Sequence, residues 1–495
     1  MTKQAQVRFK SRHVLTPLLA ALALSACGGS DNDLQPTGAE AARPQDSRTF
    51  APVVPTLNAL ANPAGATVAP DTDRWVGVNK GASYAIEVPK NWNGMLVMYA
   101  HGYAGTGPNL IAQTPAIRRH LISQGYAWAA SSYSRNYYDV RAGVEDTNAL
   151  ALAFNDIARA NGRALPAPSK TYIIGVSMGG HIAGAAVDEE NIRTANNKIR
   201  YNGAVPMCGV LGDTELFDYF TAYQVAAQKE AGIPATSWPV TNWAEIQPQV
   251  ISKLFSSFPT ATTPTAAAVP TAQGQQLKTI VQNLTGGARP LFDVGYAGPL
   301  QSTVWGTFGT DGTITGILNE RVVTNANTVY QLDNNPAVSA AETTYNASVL
   351  RVQPVQDANR LRSDGLRWVP KTNALINVPV VTIHTLGDMY VPFSMEQIFK
   401  RRADALGTSN FLVQRAIRGV GHCDFTVAEQ VSAFNAMVDW EQKGVKPAGD
   451  DVLTPATVAD PKYGCKFTDN TLTPDDISAS TRAARTNPAI IPSCS

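Results

Sequence analysis

Short apolar runs alternate with segments of helical spacing along much of the chain. This pattern indicates a mainly parallel sheet with crossover helices. Buried strands are predicted at 94–102, 125–133, 170–176, 202–210, 378–388 and 410–417. Helices are predicted at 143–162, 179–190, 394–406 and 426–443; the first has acids in its first turn and a glycine just past its end. The predicted fold class is therefore α/β, with a doubly wound sheet.

The alternation stops between residues 212 and 370. This block holds an amphipathic helical stretch, a Thr/Pro/Ala-rich linker and scattered aromatic residues. It predicts a cap inserted between two core parts, 74–211 and 371–445, with a C-terminal extension at 446–495. The cap aromatics either roof a pocket and set specificity or form the cap's own small core, and the second is favoured for any single one. They are Tyr219, Phe220, Tyr223, Trp238, Trp243, Phe255, Phe292, Tyr296 and Trp305.

The N-terminal residues 1–27 have the features of an export signal. Basic residues precede an apolar stretch at 14–24 that is too short to span a membrane as a mature helix. The following LSAC resembles the lipobox of bacterial lipoproteins, which implies lipidation at Cys27; a soluble secretory signal is the alternative. Residues 28–73, rich in Gly, Pro, Ala and Asp, predict a disordered tether, with the folded body starting near Arg74. We expect a protein anchored to the bacterial outer membrane or cell surface, or otherwise periplasmic or secreted.

Composition narrows the possible chemistry. The 495 residues are 44% hydrophobic and 16% charged, which is ordinary for a globular chain with a large core. The net charge is +1 without a lysine/arginine block, so nucleic acid is not a predicted partner. Phosphate-loop and metal-ligand spacings are also missing from the sequence, so neither a cofactor nor a metal is predicted. The only membrane contact expected is the lipid anchor at Cys27.

Four cysteines remain besides Cys27: Cys208, Cys423, Cys465 and Cys494. In an exported chain an even number predicts two disulfides, for which three connectivities are possible. The alternative is that one or more of them is a buried free thiol.

The stretch GVSMGG, residues 175–180, lies between the apolar run TYIIGV and the small-residue run GGHIAGAAV. A sharp strand-to-helix turn of small residues would expose the Ser177 hydroxyl beyond the sheet. The following helix would aim free N–H groups at a developing oxyanion. A serine nucleophile is therefore predicted, and an ordinary glycine turn is the alternative.

Four features in order resemble the α/β-hydrolase superfamily. They are the strand–GxSxG–helix unit, HG at 101–102, GD at 387–388 and GH at 421–422. The resemblance covers about 75–210 and 375–445, and it implies an α/β-hydrolase fold with a large inserted cap. It also implies the chain order nucleophile, acid, histidine, and so a triad of Ser177, Asp388 and His422.

Other candidates suit these roles less well. His384 lies inside the strand-like run PVVTIHT and is expected to be packed there. Asp404 lies in a charged helical stretch and is expected to be solvated. Asp424 follows the histidine too closely to reach round to its ring.

The resemblance further implies an oxyanion hole of two backbone N–H groups. One belongs to Met178, directly after the nucleophile, and the other to Tyr103, where Gly102 lets the chain approach. The His101 side chain is expected to be structural.

The adjacent His422 and Cys423 resemble the tannase and feruloyl-esterase family, in which a disulfide ties the histidine loop to a cysteine beside the nucleophile. Val176 occupies that position here, and this departure argues against membership of the family. Cys208, at the end of the next strand, could provide an equivalent tie. The resemblance therefore favours Cys208–Cys423, with Cys465–Cys494 as the second pair.

These residues predict an exported serine hydrolase that cleaves carboxylic esters through an acyl-enzyme. Its partner would be a small-molecule or oligomeric ester, such as an aryl or alkyl ester or a polyester fragment. An amidase or peptidase would use the same triad and remains open. A non-catalytic surface binding protein is the alternative of another class, although the triad residues are all present in order.

Overall fold

An eight-stranded sheet forms the centre of the computed structural model, which describes residues 42–260, 262–263, 265–310 and 316–494. Its strands are β1 (Thr72–Asn79), β2 (Ala82–Pro89), β3 (Met95–Ala100), β4 (Ala127–Ser131), β5 (Lys170–Val176), β6 (Gly203–Met207), β7 (Val380–Thr385) and β8 (Leu412–Ile417). Their spatial order is β1-β2-β4-β3-β5-β6-β7-β8. Neighbours from β4 to β8 pair in parallel, whereas β2 pairs antiparallel with both β1 and β4. The predicted signal segment and Cys27 lie outside the described residues.

The helices are α1 (Arg118–Ser123), α2 (Val140–Ala160), α3 (Met178–Ala186), α4 (Glu189–Thr194), α5 (Glu215–Glu230), α6 (Trp243–Leu254), α7 (Ala272–Leu284), α8 (Phe292–Ala297), α9 (Leu300–Trp305), α10 (Ala340–Ser348), α11 (Ser394–Leu406), α12 (Val427–Lys443), α13 (Pro455–Val458) and α14 (Ala479–Arg485). Short 3₁₀ turns occupy Pro44–Ser47 and Ser409–Phe411. Within the described residues, no helix combines the length and the apolar character needed to cross a bilayer.

Helices cover both faces of the sheet, which is why its strands read as continuous apolar runs. Leu96 and Met98 of β3 share one core with residues of α2 and α3. Val97 and Tyr99 point the other way, into a second core with residues of α1 and α12. The predicted α/β class, with a mainly parallel sheet wound on both faces, is confirmed.

The hairpin of β1 and β2 was not predicted from the sequence. Lys80 and Gly81 join these strands with φ values of 48° and 86°, the positive-φ pair that a tight type I′ turn requires. Residues of β1 alternate only loosely between buried and exposed, so the apolar pattern is too weak to mark a strand.

The expected start of the body near Arg74 is too late, because part of the predicted tether 28–73 packs on the core. The Gln45 side chain is buried and donates to Asp139 Oδ2 at 3.1 Å. Ala51–Pro52 pair in parallel with Asn109–Leu110. These contacts are mostly polar and backbone-mediated, so a composition poor in large apolar residues did not reveal them.

The block 212–370 carries α5 to α10 and the short antiparallel pair Phe255–Ser257 and Val269–Pro270. Trp305 is fully buried at its centre, with ring centroids 6.0 Å from Tyr223, 6.1 Å from Trp243 and 5.7 Å from Phe255. These aromatics pack on one another and are continuous with the core on the α2 and α3 face of the sheet, so they are core residues and do not roof a pocket. Phe220 differs from them because it lies against Tyr390 beside the candidate site.

The C-terminal extension folds back over α12. Its Arg485 guanidinium bonds both carboxylate oxygens of Glu429 at 2.8 and 2.9 Å, and neither side chain is exposed. The disulfide Cys465–Cys494 closes the extension on itself, with the predicted pairing.

Candidate active site

Ser177 occupies a strained turn between β5 and α3. Its φ of 57° and ψ of −121° are rare for a residue with a side chain. A Cβ at Gly175 would lie 1.9 Å from Gly179 O, and one at Gly179 would lie 2.0 Å from Ala100 O. Both glycines of GxSxG are therefore required by close backbone approach.

The structure brings the three predicted residues into one hydrogen-bonded relay. His422 Nε2 lies 2.7 Å from Ser177 Oγ, and His422 Nδ1 lies 2.5 Å from Asp388 Oδ2. The bond to the carboxylate fixes a proton on Nδ1, which leaves Nε2 free to accept the serine proton. The order along this relay is that of a serine nucleophile, a base and an orienting acid.

Backbone hydrogen bonds hold the Asp388 carboxylate in place just after β7. Asp388 is fully buried, and its Oδ1 accepts the N–H groups of Tyr390 at 2.9 Å and Val391 at 3.0 Å. These bonds leave Oδ2 for the imidazole. Gly387 N–H donates to Gly419 O at 2.9 Å, so the acid turn (residues 386–391) and the histidine loop (residues 418–425) are also joined through backbone.

The residues set aside in the sequence lie where they were expected. His384 is buried, with Nε2 2.8 Å from Val391 O and Nδ1 3.3 Å from Glu396 Oε1. Burial opposes its protonation, but the Glu396 carboxylate outweighs this and raises the pKa of His384. Asp404 is exposed beside Lys400.

Asp424 does not touch the imidazole. Its Oδ2 accepts the N–H groups of Val420 at 3.2 Å and Gly421 at 3.4 Å. The side chain therefore braces the histidine loop from within.

The two predicted oxyanion donors lie next to Ser177 in the fold. Met178 is the first residue of α3, so its N–H has no partner within the helix. The chain after β3 passes close by, because a Cβ at Gly102 would lie 3.3 Å from Ser177 Cβ, and Tyr103 follows it. His101 is buried and stacked on Tyr133 at 4.2 Å, and burial lowers its pKa, so its ring is neutral.

A disulfide fastens the histidine loop to the sheet. Cys208 follows β6 directly and bonds Cys423, with a Cα–Cα distance of 5.3 Å, as the resemblance implied. Cys423 Sγ lies 3.5 Å from His422 Nε2. These three residues are close enough for a metal site, but both sulfurs are committed to the disulfide bond.

Two spaces adjoin the triad. One, of about 20 Å³, touches Ser177 and is lined by aromatic and apolar side chains: Tyr103, Tyr138, Val210, Leu216, Phe217, Phe220, Tyr390 and Val391. The other, of about 600 Å³, has His422 in its wall. The sequence pointed to Tyr103 and Phe220 but not to the other six, because they come from separate segments of the chain and follow no local motif.

No protein-family model matches this sequence, and no curated protein is significantly similar to it. Among solved structures, the chain is similar to feruloyl esterase B from Aspergillus oryzae, at 16% identity over 78% of this chain and 84% of that one, with a TM-score of 0.40. It is also similar to tannin acyl hydrolase from Aspergillus niger, at 11% identity over 80% of this chain and 83% of that one, with a TM-score of 0.40. Acylaminoacyl peptidase from Pyrococcus horikoshii is similar at 10% identity over 78% of this chain and 43% of that one, with a TM-score of 0.36. Independently of these likenesses, the mostly parallel eight-stranded sheet with helices on both faces is an α/β fold, and the positions of Ser177, Asp388 and His422 after its strands agree with the α/β-hydrolase resemblance of the sequence.

Proposed function

We propose that this protein is an exported hydrolase of carboxylic esters that works through an acyl-enzyme on Ser177. The observation that carries the proposal is the continuous relay Ser177–His422–Asp388 on a turn that holds the serine at positive φ. Such strain costs about 1–3 kcal/mol and persists where the surrounding structure enforces it, most often at active sites. An ordinary glycine turn has no need of a histidine at hydrogen-bond distance.

The reaction follows from the positions of these groups. Ser177 Oγ attacks the ester carbonyl carbon while His422 Nε2 takes the hydroxyl proton. The carbonyl oxygen becomes an oxyanion that accepts hydrogen bonds from the N–H groups of Met178 and Tyr103. Collapse of this intermediate breaks the bond to the alcohol, which leaves with the proton from His422. A water molecule deprotonated by the same imidazole then releases the acid and restores the serine.

Two disulfides suit an oxidising compartment, which supports export of the chain. We further propose that the exported chain is anchored to a membrane by a lipid on Cys27. Palmitate incorporation by cells, lost in Cys27→Ser, would support the anchor; a soluble wild-type protein without lipid would contradict it.

Intact mass after treatment with a fluorophosphonate tests the nucleophile. We expect one adduct, located on Ser177, and no adduct on Ser177→Ala. The same samples should be assayed on p-nitrophenyl esters and anilides. Faster turnover of esters supports the proposal, faster turnover of anilides indicates an amidase, and no adduct with no turnover contradicts an enzymatic role.

A matched pair of variants tests the acid. Asp388→Asn should lower kcat by about 10⁴-fold, because an amide no longer selects the required tautomer of His422. Asp404→Asn makes the same chemical change on an exposed acid and should leave kcat near the wild-type value. Equal rates in the two variants would remove Asp388 from the mechanism.

A further inference from the structure

Besides Ala116 and residues of α12, three parts of the chain that are distant in sequence build the cavity of about 600 Å³. They are the loop around His422, the cap segment with α8 and α9, and the C-terminal extension with α14. Its volume is that of a small-molecule site. Apolar side chains supply much of the wall: Val294, Leu300, Val420, Phe425, Ala484 and Ile490.

One strongly polar group in this wall has an unused hydrogen-bond acceptor. Asp424 is only 7% exposed and lines the cavity. Its Oδ2 is occupied by the histidine loop, whereas its buried Oδ1 has no hydrogen-bond donor in the part of the chain that the structure describes. A buried carboxylate oxygen without a donor is costly, so the site favours a ligand that brings an O–H group.

The neighbouring acids do not offer the same free acceptor. Asp476 accepts the N–H groups of Val427 and Thr473, and Asp475 is paired with Arg119. At the cavity wall, the apolar side chain of Ile477 is 90% exposed. An apolar ligand entering past Ile477 would cover it.

The proposed reaction indicates which part of the ester each of the two spaces would hold. The alcohol takes its proton from His422, so it must leave from the histidine side of the site. The space beside Ser177 is about 20 Å³, little more than one water molecule occupies, so it suits a short acyl chain. The large cavity, which has His422 in its wall, is therefore available for the alcohol.

We propose that this cavity binds the alcohol part of the ester, and that Asp424 Oδ1 accepts a hydrogen bond from a hydroxyl group of that alcohol. The inference rests on the proposed esterase function and names its substrate class: short-chain esters of bulky, mainly apolar alcohols that carry a further hydroxyl.

Three acetates that differ only at one position test the role of Asp424: 4-methylphenyl, 4-(hydroxymethyl)phenyl and 4-(methoxymethyl)phenyl acetate. The wild type should prefer the hydroxymethyl ester to the methoxymethyl ester by about tenfold or more in kcat/KM, because only the hydroxyl can donate to a carboxylate. Asp424→Asn keeps an oxygen for the histidine loop but can present N–H groups to the cavity. This ratio should then fall at least tenfold, whereas a purely structural role would lower all three rates together.

Filling the cavity tests its use independently. Ala483 is an exposed residue of α14 that lines the cavity, whereas Ala479 is exposed on the same helix and does not line it. Ala483→Trp should lower kcat/KM for the three aryl acetates at least tenfold more than for ethyl acetate. Ala479→Trp should leave all of these rates near the wild-type values.

The outcomes separate the two proposals. A wild type that hydrolyses none of these esters and takes no fluorophosphonate contradicts the esterase function itself. Hydrolysis of esters with alcohol selectivity unchanged in both Asp424→Asn and Ala483→Trp overturns the cavity assignment and leaves the esterase function standing. A change in acyl-chain preference in Ala483→Trp, instead of alcohol preference, also overturns it.

Discussion

Removal of the disulfide Cys208–Cys423 should impair catalysis beyond its effect on stability. Cys423 directly follows His422 and is bonded to the residue after β6, so this bridge fixes the histidine loop against the sheet. The double variant Cys208→Ala/Cys423→Ala removes the tie without adding a polar group to the site. The second bridge, Cys465–Cys494, provides a matched control, because it closes the extension and does not touch the triad.

The sequence separations determine the expected loss of stability. A bridge across 215 residues stabilises by about 5 kcal/mol in the chain-entropy model, and one across 29 residues by about 3.5 kcal/mol. Both double variants should therefore unfold at lower urea, with the larger shift for the first. For catalysis, a displacement of His422 by about 1 Å costs up to about 100-fold in rate. Asp424 still braces the loop in the variant, so we expect a 10- to 100-fold fall in kcat.

The assay pairs urea unfolding with kcat on p-nitrophenyl acetate, at a temperature where all three proteins are more than 95% folded. The fold decrease in kcat relative to the wild type should be at least ten times larger in Cys208→Ala/Cys423→Ala than in the variant that lacks Cys465–Cys494. Equal kcat in the two variants would refute the view that the bridge positions His422. It would assign the bridge to stability alone.

Three other substitutions probe the turn at Ser177, the space of about 20 Å³ beside it and a buried acid. Gly179→Ala should abolish soluble expression or cost more than about 4 kcal/mol, since its Cβ would meet Ala100 O at 2.0 Å; a thermal melt near the wild-type value would contradict this. Phe220→Ala should enlarge the space beside Ser177 and shift preference from acetate towards hexanoate on a p-nitrophenyl ester series, unless the pocket holds no acyl group. Burial raises the pKa of Asp188 from 3.8 to about 7, so the folded state holds a proton that the unfolded chain releases, and this contribution to stability is lost as pH rises from about 4 to about 7. Asp188→Asn should flatten that dependence of Tm on pH, and parallel Tm curves for the two proteins would exclude the assignment.

Much of the parallel sheet could be predicted because each central strand is a local apolar run. The run 170–176 coincides with β5, and 202–210 contains β6. The strand ends pointed to Asp388 and His422 as candidates, because residues at the carboxyl edge of a parallel sheet meet in space. The chain order that the resemblance implies, nucleophile then acid then histidine, selected these two residues. The structure brings Asp388 Oδ2 and His422 Nδ1 together at 2.5 Å.

What could not be predicted depends on contacts between distant segments. Gln45 belongs to the body because its amide finds Asp139, which no pattern near residue 45 indicates. Phe220 reaches the site from α5 and Tyr390 from the acid turn, and neither stands in a motif. The sequence around Asp424 indicates only that it follows His422 too closely to reach its ring. Its second oxygen becomes meaningful only once the extension closes the cavity around it.

The extension at 446–495 gains a role from the way it meets the histidine loop. Arg485 Nη2 donates to Asp424 O at 2.6 Å while the same guanidinium binds Glu429 at the start of α12. A buried arginine with a single carboxylate partner is expensive to desolvate, and replacing such a pair by apolar residues is often neutral for stability. Its role here is therefore positional, because it ties the extension to the loop that carries His422. The segment that forms one wall of the large cavity also holds the loop of His422 in place, so in the proposed mechanism alcohol selection and proton transfer would depend on the same segment.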